Sequence, residues 1–199
     1  VGMNDTQTSF DGWRESADRA HLYERGDDEP TEVFLPANYS IYLSTGGVSS
    51  SALDLARYQI ACMDYLNSPL LRASSLEHMQ SVSMPFGDTE TGYGMGCQIR
   101  WAGNRKVVSH GGALTGVATH SLMVPSEGIG VVALANLGGA NVSLLVERLA
   151  ATLLDEPIFL SDPLNPRPID TRYTVPEGSL SEYTGEYRSD EATIGIMNR

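Results

Sequence analysis

Residues 107–136, VVSHGGALTGVATHSLMVPSEGIGVVALAN, decide the fold of this chain. Residues 117–124 divide into two alternating sets with the two-residue period of a half-buried strand. The turn-forming sequence Pro125-Ser126-Glu127-Gly128 then precedes the apolar segment 130–135. The stretch therefore predicts three neighbouring antiparallel strands joined by tight turns, the first of which ends in His110-Gly111-Gly112.

The end of this first strand is a candidate site. Because Gly111 and Gly112 carry no side chains, a ligand can approach the backbone N–H groups closely, and a substrate could pair with this edge as an added strand. The alternative is that His110 caps an ordinary strand and the glycines mark a bulge. The spacing of these residues alone leaves both interpretations open.

Helical spacing predicts three helices beside these strands, and residues 1–45 show no sustained period and predict an irregular segment with short elements. The first helix covers residues 51–66, the second begins at Ser74, and the third is capped by Asn141 and ended by Pro157. The predicted apolar faces are Leu53, Ala56, Ile60 and Met63; Leu76 and Met79; and Leu145, Leu149, Ala150 and Leu153. The predicted fold class is α/β (α+β), an antiparallel sheet flanked by helices.

Charge and composition exclude several classes of partner. The formal net charge of −12 repels phosphate backbones and anionic membrane surfaces, so we expect no nucleic-acid partner. No apolar run approaches the roughly 20 residues of a membrane-spanning helix. The histidines lack metal-ligand spacing, the acidic segment 24–32 lacks a calcium-loop pattern, and two cysteines are too few for a disulfide framework. We therefore expect neither a metal nor another cofactor.

A strand followed by His-Gly-Gly also occurs in the oxyanion-hole segment of α/β-hydrolases, but that fold requires a G-x-S-x-G nucleophile motif, which this sequence lacks. A different resemblance rests on several motifs in one order over about residues 1–155. The matching pieces are GMNDT at 2–6, GGVSS at 46–50 running into DLARY at 54–58, YGMG at 93–96, HGG at 110–112 and the segment 130–136. In this order the chain resembles the C-terminal half of the serine β-lactamase and penicillin-binding-protein superfamily, on the branch of class C β-lactamases, esterases and D-aminopeptidases.

The resemblance implies a serine nucleophile with a lysine three residues later. Lys106 is the only lysine here, and Gly103 stands three residues before it, so this motif is absent. The nucleophile and general base are therefore expected in a missing N-terminal half of the same domain, which becomes a partner of this chain. Tyr65-Leu66-Asn67 follows the GGVSS helix instead of preceding the GMNDT piece, so we interpret it as a helix end and not as the family's Tyr-x-Asn motif.

By the same resemblance, His110-Gly111-Gly112 stands where the family has Lys-Thr-Gly or His-x-Gly. His110 would flank the acyl pocket, Gly111 and Gly112 would bind substrate, and the backbone N–H of Ala113 would act in the oxyanion hole. Tyr93 and Trp101 are interpreted as packing residues outside the site, and His120 as structural.

The resemblance implies acyl-enzyme hydrolysis of a small-molecule or peptide substrate by the parent protein, with this segment inactive alone. An imidazole with a pKa near 6.5 is mostly neutral at pH 7, unlike lysine, so recognition of a penicillin-type carboxylate should be weaker. An ester, amide or D-amino-acid peptide is therefore favoured over a β-lactam. The alternative is a non-catalytic module that binds peptides or peptidoglycan, or an inactive homologue. A periplasmic or secreted location is favoured slightly over the cytoplasm.

The predicted domain organisation has three parts. Residues 1–156 form the C-terminal half of a β-lactamase-like catalytic domain, and the proline-punctuated residues 157–180 form a semi-extended linker. Residues 181–199 are interpreted as the start of a small C-terminal β unit, which is too short to fold alone.

Overall fold

The computed structural model of the protein describes residues 1–35, 43–86, 91–155 and 158, and the backbone of 185–188 and 193–196. The described N-terminal residues hold only short elements, as the sequence predicts. These are helix α1 (Phe10–Glu15), strands β1 (Leu22–Glu24) and β2 (Thr31–Val33), which pair antiparallel, and helix α2 (Leu43–Gly46). The Tyr23 amide donates to the Asn136 carbonyl (3.1 Å), which fastens the β1–β2 hairpin to the domain body.

Two helices follow, α3 (Ala52–Met63) and α4 (Ala73–Met79). The predicted start of α3 is confirmed, because the Ser51 side chain accepts a hydrogen bond from the Asp54 amide (3.2 Å). The predicted cap of α4 is wrong. Ser74 lies inside the first turn, and the helix begins after Arg72, whose carbonyl accepts from the amide of Leu76.

The main sheet has six antiparallel strands in simple chain order, so each strand pairs with the next. They are β3 (Met84–Pro85), β4 (Gly92–Tyr93), β5 (Gln98–Ala102), β6 (Arg105–Leu114), β7 (Val117–Val124) and β8 (Ile129–Ala135). A two-residue turn at Gly103-Asn104 joins β5 to β6, and a 3₁₀ turn at Pro125–Glu127 precedes β8. The three strands predicted from residues 107–136 are confirmed as β6, β7 and β8.

The sheet buries side chains on both faces. Helix α5 (Val142–Leu154), capped by Asn141 as predicted, contributes Val146 and Ala150 to a core on one face. A second core contains Cys62 of α3 and buried residues of the sheet. The sheet residues are Val107, Leu122, Val124 and Val131 in the first core, and Ile99, Val108 and Met123 in the second.

The predicted faces of α3 and α5 are wrong in part, whereas Leu76 of α4 and Ala150 of α5 are buried as predicted. Helix α5 buries Val142, Val146 and Ala150, whereas Leu145, Leu149 and Leu153 stay 50%, 45% and 62% exposed. We call these three residues the leucine stripe. In α3 the predicted apolar residues Leu53 and Ile60 are 70% and 63% exposed, and the buried residues include Asp54 and Gln59. Each helix therefore turns apolar side chains away from the described core.

A buried glutamine fastens α3 to the sheet. The Gln59 amide nitrogen donates to the Ser121 hydroxyl (2.9 Å) and to the carbonyls of Leu122 (3.1 Å) and Val131 (3.2 Å). Its side chain lies over Gly130, where an added Cβ would approach the Gln59 side-chain oxygen within 2.5 Å. A glycine in the middle of β8 is therefore required by this close contact.

A fully buried carboxylate joins the N-terminal segment to the start of α3. Asp54 accepts hydrogen bonds from the Asp5 amide (2.8 Å), the Thr6 hydroxyl (2.9 Å) and the Arg57 guanidinium (2.7 Å). Burial acts to raise the pKa of Asp54, but the hydrogen bonds from Thr6, Asp5 and Arg57 and the Arg57 charge hold it below its ordinary value. The GMNDT and DLARY motifs thus meet at one carboxylate.

We expect acid to weaken this junction. A carboxylate whose pKa is lowered on folding stabilises the protein fully above its unfolded pKa, and that stability is lost as pH falls through the folded pKa. The free energy of unfolding should therefore fall below about pH 4, and Asp54→Asn should lower it at neutral pH while flattening its pH dependence. Urea unfolding between about pH 7 and pH 2 measures both, with the exposed Asp18→Asn as control. Identical pH dependence in both variants would contradict the assignment.

The chain divides into two units, Val1–Asn165 and Pro166–Arg199. In the second unit, strand β9 (Gly185–Arg188) pairs antiparallel with β10 (Thr193–Ile196). The predicted linker, apart from Ile158, lies outside the described residues, and the predicted three-part organisation stays a prediction. Within the described part of the chain, no helix is long and apolar enough to span a membrane.

Candidate functional site

The candidate site lies where β6 extends beyond its neighbour β5. The β5–β6 register runs from Ala102↔Arg105 to Gln98↔Ser109, and the described residues show no partner on that side for residues 110–114. Strand β7 covers the other side of β6 as far as the pair Leu114↔Val117. Within the described part of the chain, residues 110–114 therefore have a strand partner on one side only.

The register also determines which way the backbone of this segment faces. The pairs Ala102↔Arg105 and Leu114↔Val117 close two-residue turns, and the closing pair of such a hairpin exchanges both backbone hydrogen bonds. Hydrogen-bonded and non-hydrogen-bonded pairs alternate along an antiparallel ladder. The pair next to Leu114↔Val117, Ala113↔Ala118, is therefore non-hydrogen-bonded, and the Ala113 N–H points away from β7. The alternation that starts at Ala102↔Arg105 gives the same direction. The Ala113 amide therefore faces the unpaired edge, and the residue is exposed.

His110 is exposed at the start of this edge, and both of its ring nitrogens have a partner. The Tyr93 hydroxyl oxygen lies 2.7 Å from Nε2, and the Gly111 carbonyl oxygen lies 2.6 Å from Nδ1. The two rings meet edge to face, with centroids 5.9 Å apart and planes at 74°. The imidazole is thus held between the strand's own backbone and a side chain of β4.

Tyr93, which the sequence places outside the site as a packing residue, contacts His110 in the structure and becomes a candidate site residue. Tyr93 pairs with Gln98, and Gln98 pairs with Ser109, so two strand registers separate Tyr93 from the neighbourhood of His110. The motif YGMG indicates a strand end and a turn, but it does not show which residue of β6 the tyrosine meets.

The glycines after His110 fit against side chains of β7. An added Cβ on Gly112 would lie 2.6 Å from the Thr119 hydroxyl, and one on Gly111 would lie 3.2 Å from Nδ1 of His120. Close cross-strand packing is therefore one reason for both glycines, and the access that they give a ligand stays a prediction.

His120 and His110 occupy opposite faces of the sheet. His120 pairs with Gly111, and since successive side chains of a strand alternate between faces, His120 shares the face of Gly111 and not that of His110. Burial first, and then the charges of Arg100 and His110, lower the pKa of His120. The neutral form of His120 is therefore favoured, and its interpretation as a structural residue stays a prediction.

Lys106, the only lysine in the sequence, lies four residues before His110 on β6. Its ammonium donates to the Gln80 carbonyl (3.2 Å). Burial lowers the pKa of Lys106, and the smaller electrostatic effects of Cys97 and Glu77, which raise it, do not compensate. Ala113 is seven residues from Lys106 on this strand, a span of about 23 Å, so this lysine lies away from the Ala113 amide. Among the described residues, no group of three or more side chains is arranged to hold a metal ion.

The chain is similar to one protein family and to several solved structures. The Beta-lactamase family model matches residues 1–156. A search of curated proteins gave no match.

Among solved structures, the octameric penicillin-binding protein homologue from Pyrococcus abyssi is 25% identical to this chain. The match covers 93% of this chain and 40% of that protein, with a TM-score of 0.68. The class C β-lactamase from Rhodobacter sphaeroides is 18% identical over 77% of this chain and 51% of its own, with a TM-score of 0.56. A D-stereospecific amidohydrolase from Streptomyces sp. is 20% identical over 75% of this chain and 43% of its own, with a TM-score of 0.57.

The chain thus spans from 40% to 51% of the length of these three structures and shares their fold. Because the family model also matches most of the sequence, the chain belongs to the β-lactamase family.

Proposed function

We propose that this chain is the C-terminal part of a serine hydrolase and supplies one wall of its acyl pocket. The observation that carries the proposal is the Ala113 amide, which faces an unpaired strand edge beside the exposed His110. A backbone donor fixed in a sheet is already oriented towards the charge that develops in an acyl-transfer transition state.

The proposed reaction has two steps. A serine hydroxyl outside this chain attacks the substrate carbonyl carbon, and the proton goes to a general base that also lies outside this chain. The oxygen that becomes negative accepts hydrogen bonds from the Ala113 N–H and from the serine's own N–H. The leaving group departs with a proton, and water then hydrolyses the ester. His110, Gly111 and Gly112 bind the substrate beside the reacting carbonyl.

We infer that the N-terminal half of the same domain covers β8, α3 and α5. Strand β8 is an edge strand of the described sheet and has the apolar sequence IGVVALA. Long apolar edges are normally paired or covered. The leucine stripe of α5, and Leu53 with Ile60 of α3, lie on helices that pack beside this strand. Since the chain spans 40% of the Pyrococcus abyssi structure, a partner segment of comparable size is available to cover them.

The substrate class follows from the residue at position 110. A lysine there would offer a permanent cation to a carboxylate, whereas an imidazole is mostly neutral at pH 7. We therefore propose an ester, an amide or a D-amino-acid peptide as substrate in preference to a β-lactam.

A burst assay tests the proposal. We expect the 199-residue chain to release no burst of p-nitrophenol from a p-nitrophenyl ester and no burst of product from nitrocefin. The full product of the same gene should give a stoichiometric ester burst, and its sequence should carry Ser-x-x-Lys and Tyr-x-Asn before the GMNDT motif. A stoichiometric acyl-enzyme on this chain alone would contradict the proposal.

The second candidate is a non-catalytic module that captures peptides or peptidoglycan stems. The unpaired edge of residues 110–114 favours it, because an extended peptide can pair there without any chemistry. A full gene product that lacks Ser-x-x-Lys, and that binds peptide without cleaving it, would favour this module over the hydrolase.

A further inference from the structure

The two partners of the His110 ring determine where its proton lies. The Gly111 carbonyl oxygen, 2.6 Å from Nδ1, can only accept a hydrogen bond, so Nδ1 must carry a hydrogen and donate it. In the neutral ring, Nε2 then carries a lone pair and accepts. The Tyr93 hydroxyl, 2.7 Å away, is therefore the donor to Nε2.

We propose that Tyr93 is a positioning residue that holds His110 in the Nδ1–H tautomer and fixes the orientation of its ring. The assignment of the tautomer stands on these contacts alone. Its consequence for catalysis rests on the proposed function, in which His110 flanks the acyl pocket.

Tyr93 is itself placed firmly enough for this role. Its backbone carbonyl accepts from the Ser83 amide (2.9 Å), and β4 pairs with β3 on one side and β5 on the other. Directly after it, the Gly94 amide donates to the Cys97 carbonyl (2.8 Å), which closes a tight turn. The backbone of Tyr93 is therefore held in β4, between β3 and β5, and not in a loop.

The tautomer changes what the substrate meets at this wall. With Nδ1–H directed to Gly111 and the Tyr93 hydrogen directed to Nε2, the neutral pair offers no donor to the open edge. It offers the lone pairs of the Tyr93 hydroxyl oxygen, which accept hydrogen bonds. A substrate group that donates, such as an amide N–H or an ammonium, fits this wall better than a carboxylate does. When the ring takes up a second proton, Nε2–H must donate to Tyr93, and the phenol hydrogen turns towards the edge.

Long-range ¹H–¹⁵N NMR of the 199-residue chain tests the tautomer directly. Labelled histidine gives four ring systems, and the spectrum of His110→Gln identifies the signals of His110. In alkaline buffer we expect the proton of His110 on Nδ1. In Tyr93→Phe the Nε2 acceptor loses its donor, so the ratio of the Nδ1–H to the Nε2–H form should fall about fivefold, the factor that one neutral hydrogen bond contributes.

Tyr65→Phe is the matched control. It removes a phenol hydroxyl that donates to Gln80 (2.6 Å), and it should leave the His110 ratio unchanged. A wild-type ring that is mainly Nε2–H, or a ratio that Tyr93→Phe does not change, would overturn the proposal.

The kinetic consequence is measured on the full gene product. Tyr93→Phe should lower kcat/KM about tenfold, mainly through KM, for an ester substrate that carries an amide N–H or an ammonium, because it removes the hydroxyl lone pairs that accept from the substrate and releases the His110 ring beside them. A fall in kcat/KM without a change of tautomer would overturn the positioning role. Absence of hydrolysis in the wild-type gene product, with the tautomer as expected, would instead count against the proposed function alone.

Discussion

Replacing Ala113 with proline should lower kcat of the full gene product by a factor of about 10² to 10³, the usual cost of losing one oxyanion donor. Proline has no backbone N–H, so it removes the donor while leaving the nucleophile, the base and His110 in place. The loss should appear in kcat, because the oxyanion exists in the transition state and not in the bound substrate.

The register of β6 determines whether the strand tolerates this change. Proline is accepted in a sheet only where its nitrogen faces away from the strand partner, and position 113 meets that condition. Ala113→Gly keeps the N–H and is the matched control, and its kcat should stay close to that of the wild type. Thermal unfolding of the 199-residue chain should show Ala113→Pro still folded. Equal kcat in both variants would contradict the oxyanion role, and an unfolded proline variant would contradict the register.

The sequence predicted the sheet well because its signals are local. Alternation along residues 117–124 and the turn residues at Gly103-Asn104 each define a strand or a hairpin without reference to the rest of the fold. The open side of β6 depends instead on the length of β5, which begins at Gln98 opposite Ser109 and leaves His110 beyond its last pair.

The contact between Tyr93 and His110 could not be predicted in the same way. By register Tyr93 shares one face of the sheet with Gln98 and Ser109, whereas His110 lies on the other face, so strand alternation alone predicts no contact between them. The two rings meet at the place where β4 ends and β5 begins. Neither the YGMG motif nor the composition of the strands predicts this contact. The position of this tyrosine beside His110 is therefore visible only in the structure.

The predicted buried faces of α3 and α5 were partly wrong for a different physical reason. Periodicity shows which side of a helix is apolar, but not which partner covers that side. In α5 the leucine stripe and the buried face of Val146 and Ala150 are both apolar, and only the second packs on the described sheet. Two apolar faces on one helix are expected when two layers pack against it. This arrangement is what we expect if the proposed N-terminal half packs against α5 as well as against β8.

Leu153→Gln should change the free energy of unfolding much less in the 199-residue chain than in the full gene product. In the 199-residue chain Leu153 is 62% exposed, so the substitution should change the free energy of unfolding by no more than about 0.5 kcal/mol. In the full gene product the N-terminal half is proposed to cover this side chain. Losing its buried methyl groups and burying an amide there should cost about 2–5 kcal/mol. Urea unfolding of both proteins measures the difference.

Arg148→Gln is the matched control, because it places the same residue at an exposed position of the same helix. Glutamine and arginine have similar helix propensities, so Arg148→Gln should be nearly neutral in both proteins. The comparison removes effects of helix propensity and leaves only the burial of the leucine stripe. If Leu153→Gln is as mild in the full gene product as in the chain, the N-terminal half does not pack on α5, and the proposed arrangement of the domain is wrong.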